Sequence, residues 1–401
     1  MKHREMGFLS FIAILALLMA LVSITINMVL PAFQSMANTF QLRHQNQIQL
    51  VISLLYLGLG IGQLFYGPLS DSIGRKRTIY IGLILFITGC LVSYLSGDLV
   101  TLIAGQIIQG LGLGAPRVIS LSIVRDRYAG NSMARAMSFI MVIYILTPIF
   151  SPILGKMVLM LAEWRTLFIV FIFLGLAVLL LFRYVMPETL PPERRKAFTV
   201  RHLVAATAGI VNNQISLGCI IILGVYSGVF ITYLNLSQPI FEIEYQLGNR
   251  YPFYFASLAL GIGLASFLNG KLVTGFGMEK LIRYAIWSGL TASVPFIILT
   301  GWYQGHPPLS ILLIFLFIQL FCYGILIGNL SAMAMKPFGN FAGLAAAIIG
   351  ALSTLISVPL SIGLGRYFNG SVMPLVAGFL VAGVVSIIIF HHNHQVKLAH
   401  E

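Results

Sequence analysis

Arg117 is the residue most out of place in this sequence. It lies in QGLGLGAPRV, residues 109–118, inside an apolar run from Leu99 to Val124 that contains no acidic residue. A charge at the centre of a membrane span costs several kcal/mol, and a guanidinium held there can grip a carboxylate through two parallel hydrogen bonds. Gln106 precedes it by eleven residues. At ~100° per residue that separation closes to within about 20° of three full helical turns, so the two side chains are expected on one face, toward one cavity. Asp71, Arg75 and Asp126 form a second group. Asp71 and Arg75 are four residues apart at the end of one apolar run, and Asp126 follows at the end of another. A charge relay across the helix ends is therefore available, against the plainer reading of a solvated ion pair.

Other chemistries are excluded. No paired His, Asp or Glu lies within an apolar run, so an enzyme is not expected. GLGIG (58–62), GLGLG (110–114) and GIGLA (261–265) have the look of phosphate loops, but no strand precedes them and no GxxxxGK[ST] occurs. They read as close-packing helix faces, and no cofactor is expected. Cys90, Cys219 and Cys322 are dispersed and offer neither a disulfide framework nor metal spacing. HHNH at 391–394 reads as the end of a helix, and no metal site is assigned.

The elements that must position these residues follow from composition. Of 401 residues 58% are hydrophobic and 9% charged, with mean hydropathy +0.95, against about 25% charged in an ordinary soluble domain. Twelve runs are long enough to span a bilayer, at about 8–30, 47–66, 78–97, 100–124, 136–157, 165–186, 214–235, 252–273, 283–302, 309–334, 342–364 and 372–391. The length of the runs points to helices rather than barrel strands, and the first is read as a span rather than a cleaved leader. The net charge of +13 sits mostly in alternate loops, among them Arg75, Lys76, Arg77, Arg125, Arg127, Arg194 and Arg195. That bias is the positive-inside pattern, with both termini cytoplasmic, and it excludes a nucleic-acid role. The polar stretch 187–213 links two six-helix halves, 1–186 and 214–401. GPLSDSIGRKR (67–77) overlays GKLVTGFGMEK (270–280) at a constant offset of 203, matching Gly67, Leu69, Gly74 and Arg77 to Gly270, Leu272, Gly277 and Lys280. Paired repeats are the layout of alternating-access transporters with a site near the midplane.

GPLSDSIGRKR resembles the signature loop of the major facilitator superfamily. More narrowly, LPAF (30–33), QGLGLGA (109–115), IVRD (123–126), TPIFSPILG (147–155), EWRTLF (163–168), PETLPPERR (187–195) and SQPIF (237–241) resemble the Bcr/CflA drug:proton antiporters. The resemblance implies a twelve-helix inner-membrane exporter in which Gly67, Asp71, Gly74, Arg75, Lys76 and Asp126 form a cytoplasmic gate that locks the outward-facing state. It also ties Pro148, Pro152 and Gly155 to a bent fifth span. Two departures concern coupling: Asn27 stands where the group has an acid, and Gln106 where it has an arginine. The proton remains the candidate coupling ion, without those two ionisable groups.

The remaining polar residues of the spans, Gln63, Tyr144, Tyr226, Gln319, Asn329 and Ser353, suit a small-molecule pocket or interhelical hydrogen bonds equally. All eleven acids lie in loops or at span ends, so the cavity is expected to favour an anionic or zwitterionic solute. The expected partners are that solute and the lipid bilayer around a monomer. Import of an anionic metabolite, such as a polycarboxylate siderophore, is the competing function.

Overall fold

A computed structural model describes residues 7–42, 44–128, 130–195 and 199–400. The described chain is helical throughout: α1 (Phe8–Asn27), α2 (Phe33–Thr39), α3 (Leu50–Ile73), α4 (Arg75–Tyr94), α5 (Leu99–Arg127), α6 (Gly130–Leu161), α7 (Thr166–Val185), α8 (Val200–Asn212), α9 (Gln214–Gln238), α10 (Tyr251–Phe276), α11 (Met278–Trp302), α12 (Leu309–Met335), α13 (Ala342–Arg366) and α14 (Met373–His400). Twelve helical stretches are long and apolar enough to cross a membrane, as the hydropathy pattern requires. Large side chains such as Phe173, Ile298 and Trp302 remain exposed on them, which a bilayer tolerates and water does not. The protein is a multi-pass membrane protein.

The chain divides into two compact units, residues 1–40 with 54–203 and residues 41–53 with 204–401. The sequence pattern places the division at 1–186, 187–213 and 214–401. Residues 41–53 join the second unit because Asn46 Nδ2 donates to the carbonyls of Phe368 (2.5 Å) and Arg366 (3.4 Å), and Asn235 Nδ2 to Ser53 Oγ (2.9 Å). The polar stretch after α7 is not plain linker: it holds α8, and the boundary between units falls at Leu203 and Val204.

Glycine sets the packing of the first unit. A methyl group on Gly58 would strike the carbonyl of Ile107, one on Gly110 the carbonyl of Leu55, and one on Gly62 would lie 2.6 Å from the Leu111 carbonyl. The two glycine runs thus form a seam that brings α3 and α5 into backbone contact, the small-residue packing of membrane helices. In the second unit Gly324 packs on Ala265 and Ile262, so GIGLA serves α10 and α12 likewise. The phosphate-loop reading finds no place in these seams. α6 runs unbroken through Pro148 and Pro152, and Gly155 lies against the Met28 carbonyl, where a side chain has no room.

Candidate transport site and gate

Gly74 ends α3 and opens α4 with φ +103°, ψ 155°, a conformation that L side chains rarely adopt. The helix it opens begins Arg75-Lys76-Arg77, three cations on the positive end of a helix dipole with no side-chain cap of their own. Glu188, just beyond α7, supplies the missing anion: its carboxylate accepts from the backbone N–H groups of Arg75 (3.0 Å) and Lys76 (3.1 Å). A methyl on Gly74 would sit 2.5 Å from Glu188 Oε2, so the missing side chain makes room for the cap. Lys76 Nζ completes the joint by donating to the Arg183 carbonyl at 2.7 Å.

The Arg75 side chain turns back over the same corner. Its Nε donates to Asp126 Oδ2 (2.9 Å), Nη2 to Asp126 Oδ1 (3.4 Å), and Nη1 to Asp71 Oδ1 (2.5 Å) and Ser70 Oγ (2.6 Å). Thr189 Oγ1 donates to Asp126 Oδ2 at 3.0 Å. The structure thus brings Asp71, Arg75 and Asp126 together in the first unit. It also adds Ser70, Glu188 and Thr189, which the sequence argument did not reach. Side-chain exposure is 9% for Arg75, 17% for Asp126 and 45% for Asp71, so the Asp126 limb is the buried one. Gly67 lies one turn earlier on α3, its carbonyl accepting from Ser70 Oγ at 2.8 Å.

Arg117 is half-buried on α5. Its Nη1 donates to Tyr144 Oη, and its guanidinium carbon lies 5.1 Å from the centroid of the Tyr144 ring. Tyr144 of α6 therefore holds the guanidinium in position through its hydroxyl and its ring. Gln106 behaves otherwise. It is 1% exposed and its Nε2 donates to Ser93 Oγ on α4 at 3.2 Å. The helical register sets both residues on one side of α5, but Gln106 engages α4 and Arg117 engages α6, so the shared cavity expected for them is not what their contacts describe. Close approach of α4 at Gly89 and Gly105 puts Ser93 within reach of the short Gln106 amide, whereas the long arginine stem extends past its own helix to Tyr144.

The other polar candidates are mostly bonded inside their units. Asn27 folds back on α1, with Nδ2 donating to the Ser23 carbonyl at 2.8 Å. Gln63 is buried beside Gly114 in the α3–α5 seam. Asn329 exchanges amide hydrogen bonds with Asn269 (2.6 and 3.4 Å), and Ser353 Oγ donates to the Ile220 carbonyl (3.4 Å). Gln319 Nε2 donates to Ser293 Oγ (2.9 Å) and the Gly289 carbonyl (2.8 Å). Tyr226 and Gln319 are both buried, and neither Tyr226 Oη nor Gln319 Oε1 has a hydrogen-bond partner among the described residues.

Gln319 repeats an arrangement of the first unit. There Gln109 Nε2 donates to Ser93 Oγ (2.8 Å) and the Gly89 carbonyl (3.4 Å). The same Gly–Ser–Gln interlock joins α4 to α5 and α11 to α12. Gly277, the counterpart of Gly74, likewise has positive φ, +77°. Among the described residues no cluster of three His, Cys, Asp or Glu could hold a metal ion.

Comparison with known proteins matches this architecture. The chain is 29% identical over 346 residues to the uncharacterized MFS-type transporter YdgK of Bacillus subtilis, covering 86% of this chain and 85% of the relative. It is 26% identical to a bicyclomycin resistance protein homolog of Haemophilus influenzae, over 69% of each chain. Its fold superposes on the crystal structure of a D-xylose–proton symporter with TM-score 0.76 at 15% identity, covering 95% of this chain and 97% of the other. The family model described as Major Facilitator Superfamily matches residues 15–363. With twelve membrane-spanning helices and a family match over most of its length, the chain belongs to the major facilitator superfamily, and it is a transporter rather than an enzyme.

Proposed function

We propose that the chain exports a small organic solute by gradient-driven alternating access, in the manner of the Bcr/CflA drug-resistance group, and that it acts as a monomer. The observation that carries this reading is the kinship with a bicyclomycin resistance protein homolog, joined to the resemblance of the loops and of the fifth span. Arg117, held by Tyr144, is the proposed substrate contact, because a guanidinium fork selects groups that accept two parallel hydrogen bonds. Asp71, Arg75 and Asp126 are the proposed gate, with Glu188 securing the helix that carries Arg75. Asn27 and Gln106 are tied to neighbouring hydroxyl and carbonyl groups and carry no proton in the cycle. The drug-resistance relative lends nothing to siderophore import.

The test is efflux from an efflux-deficient bacterial host and uptake into inverted vesicles, using a drug panel that includes bicyclomycin and chloramphenicol. At least one compound should move outward. Arg117→Lys should weaken its transport and Arg117→Met should abolish it at normal expression. If no compound in the panel moves outward, export is refuted. If both Arg117 variants transport like the parent, its role as substrate contact is refuted while export stands.

A further inference from the structure

The second unit holds a cavity, with both polar and apolar walls, that neither the gate nor Arg117 uses. Its volume is about 420 Å³, and it is framed by the 44–53 segment on one side and the last turns of α13 on the other. Small-molecule sites commonly measure about 300–1,000 Å³. Helices α10 to α14 alternate in direction, so the end of α13 at Arg366 lies at the opposite end of this unit from Gly277.

The lining offers donors. Arg366 contributes a permanent positive charge, His44 an imidazole, Gln47 and Gln49 carboxamides, and Ser53 a hydroxyl; none of the lining residues is acidic. Leu50 and Ile362 add an apolar wall. The frame is braced on both sides. Asn46 Nδ2 ties the 44–53 segment to the Arg366 and Phe368 carbonyls, and buried Gln49 lays its Oε1 against Gly365, where an added side chain would displace it. At Ser53 the wall is anchored from inside the unit, since Asn235 Nδ2 donates to Ser53 Oγ (2.9 Å) and to Ser361 Oγ (3.2 Å). With Asn235 as its donor, the Ser53 hydroxyl can still give its own proton away.

From this the geometry points to a second binding site, at the Arg366 end of the second unit, for a small organic carboxylate. A ligand carboxylate would accept two parallel bonds from Arg366, while its hydroxyl or further carboxylate oxygens would meet the amides and Ser53, and its carbon skeleton the Leu50–Ile362 wall. The charge sign follows from the lining: a cationic ligand would meet a guanidinium and no carboxylate, whereas an anion gains a charge-assisted bond. The site does not depend on transport direction or on Arg117.

The experiment is calorimetric titration of the full-length protein in detergent with citrate, and separately with choline. Citrate should bind and choline should not. Arg366→Gln should weaken citrate by about tenfold or more, the equivalent of one charge-assisted hydrogen bond, and Arg366→Lys by less. Gln49→Leu should also weaken it, which supplies a second reading should Arg366→Gln fail to fold. Lys280→Gln, a charge change at the far end of the same unit, should leave citrate binding unchanged. The proposal is overturned if citrate gives no binding, if choline binds as well, if Arg366→Gln and Gln49→Leu bind citrate like the parent, or if Lys280→Gln weakens it as much as Arg366→Gln, because the last marks general attraction to a protein of net charge +13.

Discussion

Neutralising Asp126 should cost far more stability than neutralising Asp71, although both carboxylates bond the same guanidinium. Asp126 is 17% exposed, takes two bonds from Arg75 and a third from Thr189, whereas Asp71 is 45% exposed and takes one. Removing one member of a buried pair costs about 3–5 kcal/mol. Asp126→Asn keeps one acceptor oxygen and leaves Arg75 bonded to Asp71 and Ser70, so the expected loss falls below that range, at about 2 kcal/mol. The exposed Asp71 limb is screened by solvent, and Asp71→Asn should cost about 0.2–1 kcal/mol. The gap of more than ~1 kcal/mol is near tenfold in an equilibrium constant. Reaction of a thiol-sensitive dye with Cys90, buried in α4 of the same unit, reports opening of that unit as temperature rises. The order of melting should be parent, Asp71→Asn, then Asp126→Asn, with Arg75→Met lowest because it leaves two carboxylates facing each other. If Asp71→Asn melts at or below Asp126→Asn, burial does not rank these bonds and the reasoning fails.

The other expectations use the same melt, read at Cys90 for the first unit and at Cys219 and Cys322, buried in α9 and α12, for the second, each in a background without the other thiols. Gly74→Ala should destabilise more than Gly277→Ala: both force a side chain into positive φ, at a cost on the order of 1–3 kcal/mol, but only the first also displaces Glu188; equal effects would remove Glu188 from the account. Gln319→Leu alone should cost about 0.5–1.5 kcal/mol by removing the donor to Ser293 Oγ, while the Gly289 carbonyl keeps its bond from the Ser293 hydroxyl (2.8 Å). Adding Ser293→Ala should recover part of that loss, and a double variant as weak as the sum of the singles would show that the two do not act as a pair. Asp98 caps α5, and the Thr101 backbone N–H holds its carboxyl below the usual range. Its contribution is therefore complete above the ordinary aspartate range and lost as pH falls through the depressed value. Asp98→Asn should flatten the acid side of the pH–stability profile, and an unchanged profile would count against the cap.

Legibility followed the range of the forces involved. Span number was readable because hydrophobic burial depends on composition over about 20 residues, and the glycine seams were readable because close approach demands the absence of a side chain at fixed spacing. Gln106 and Arg117 show the limit of periodicity. It gives an angle around the helix axis, while the partner is decided by which neighbouring helix stands within reach of a short amide or a long guanidinium. Glu188 lies 113 residues from Arg75, beyond any local pattern. One signal did point to it. A helix that opens on a glycine with three basic residues and no Ser, Thr, Asp or Asn cap leaves unmet N–H groups at its positive end, and an acid from elsewhere is the remedy.

The two units resolve that need differently. After Gly277, α11 carries Glu279 in its own first turn, so the second unit meets the helix dipole locally. After Gly74, α4 carries only cations, and its anion comes from the segment that follows α7. The same backbone corner, with positive φ in both units, is thus self-contained in one and dependent on a distant residue in the other. The dependence has a mechanical consequence. Thr189 bonds Asp126 and Glu188 caps the helix bearing Arg75, so any displacement of the chain beyond α7 loosens the cap and the carboxylate partner of Arg75 together. A charge network built from α3, α4 and α5 alone would respond only to those helices; this one also registers the position of the segment that leads toward the second unit.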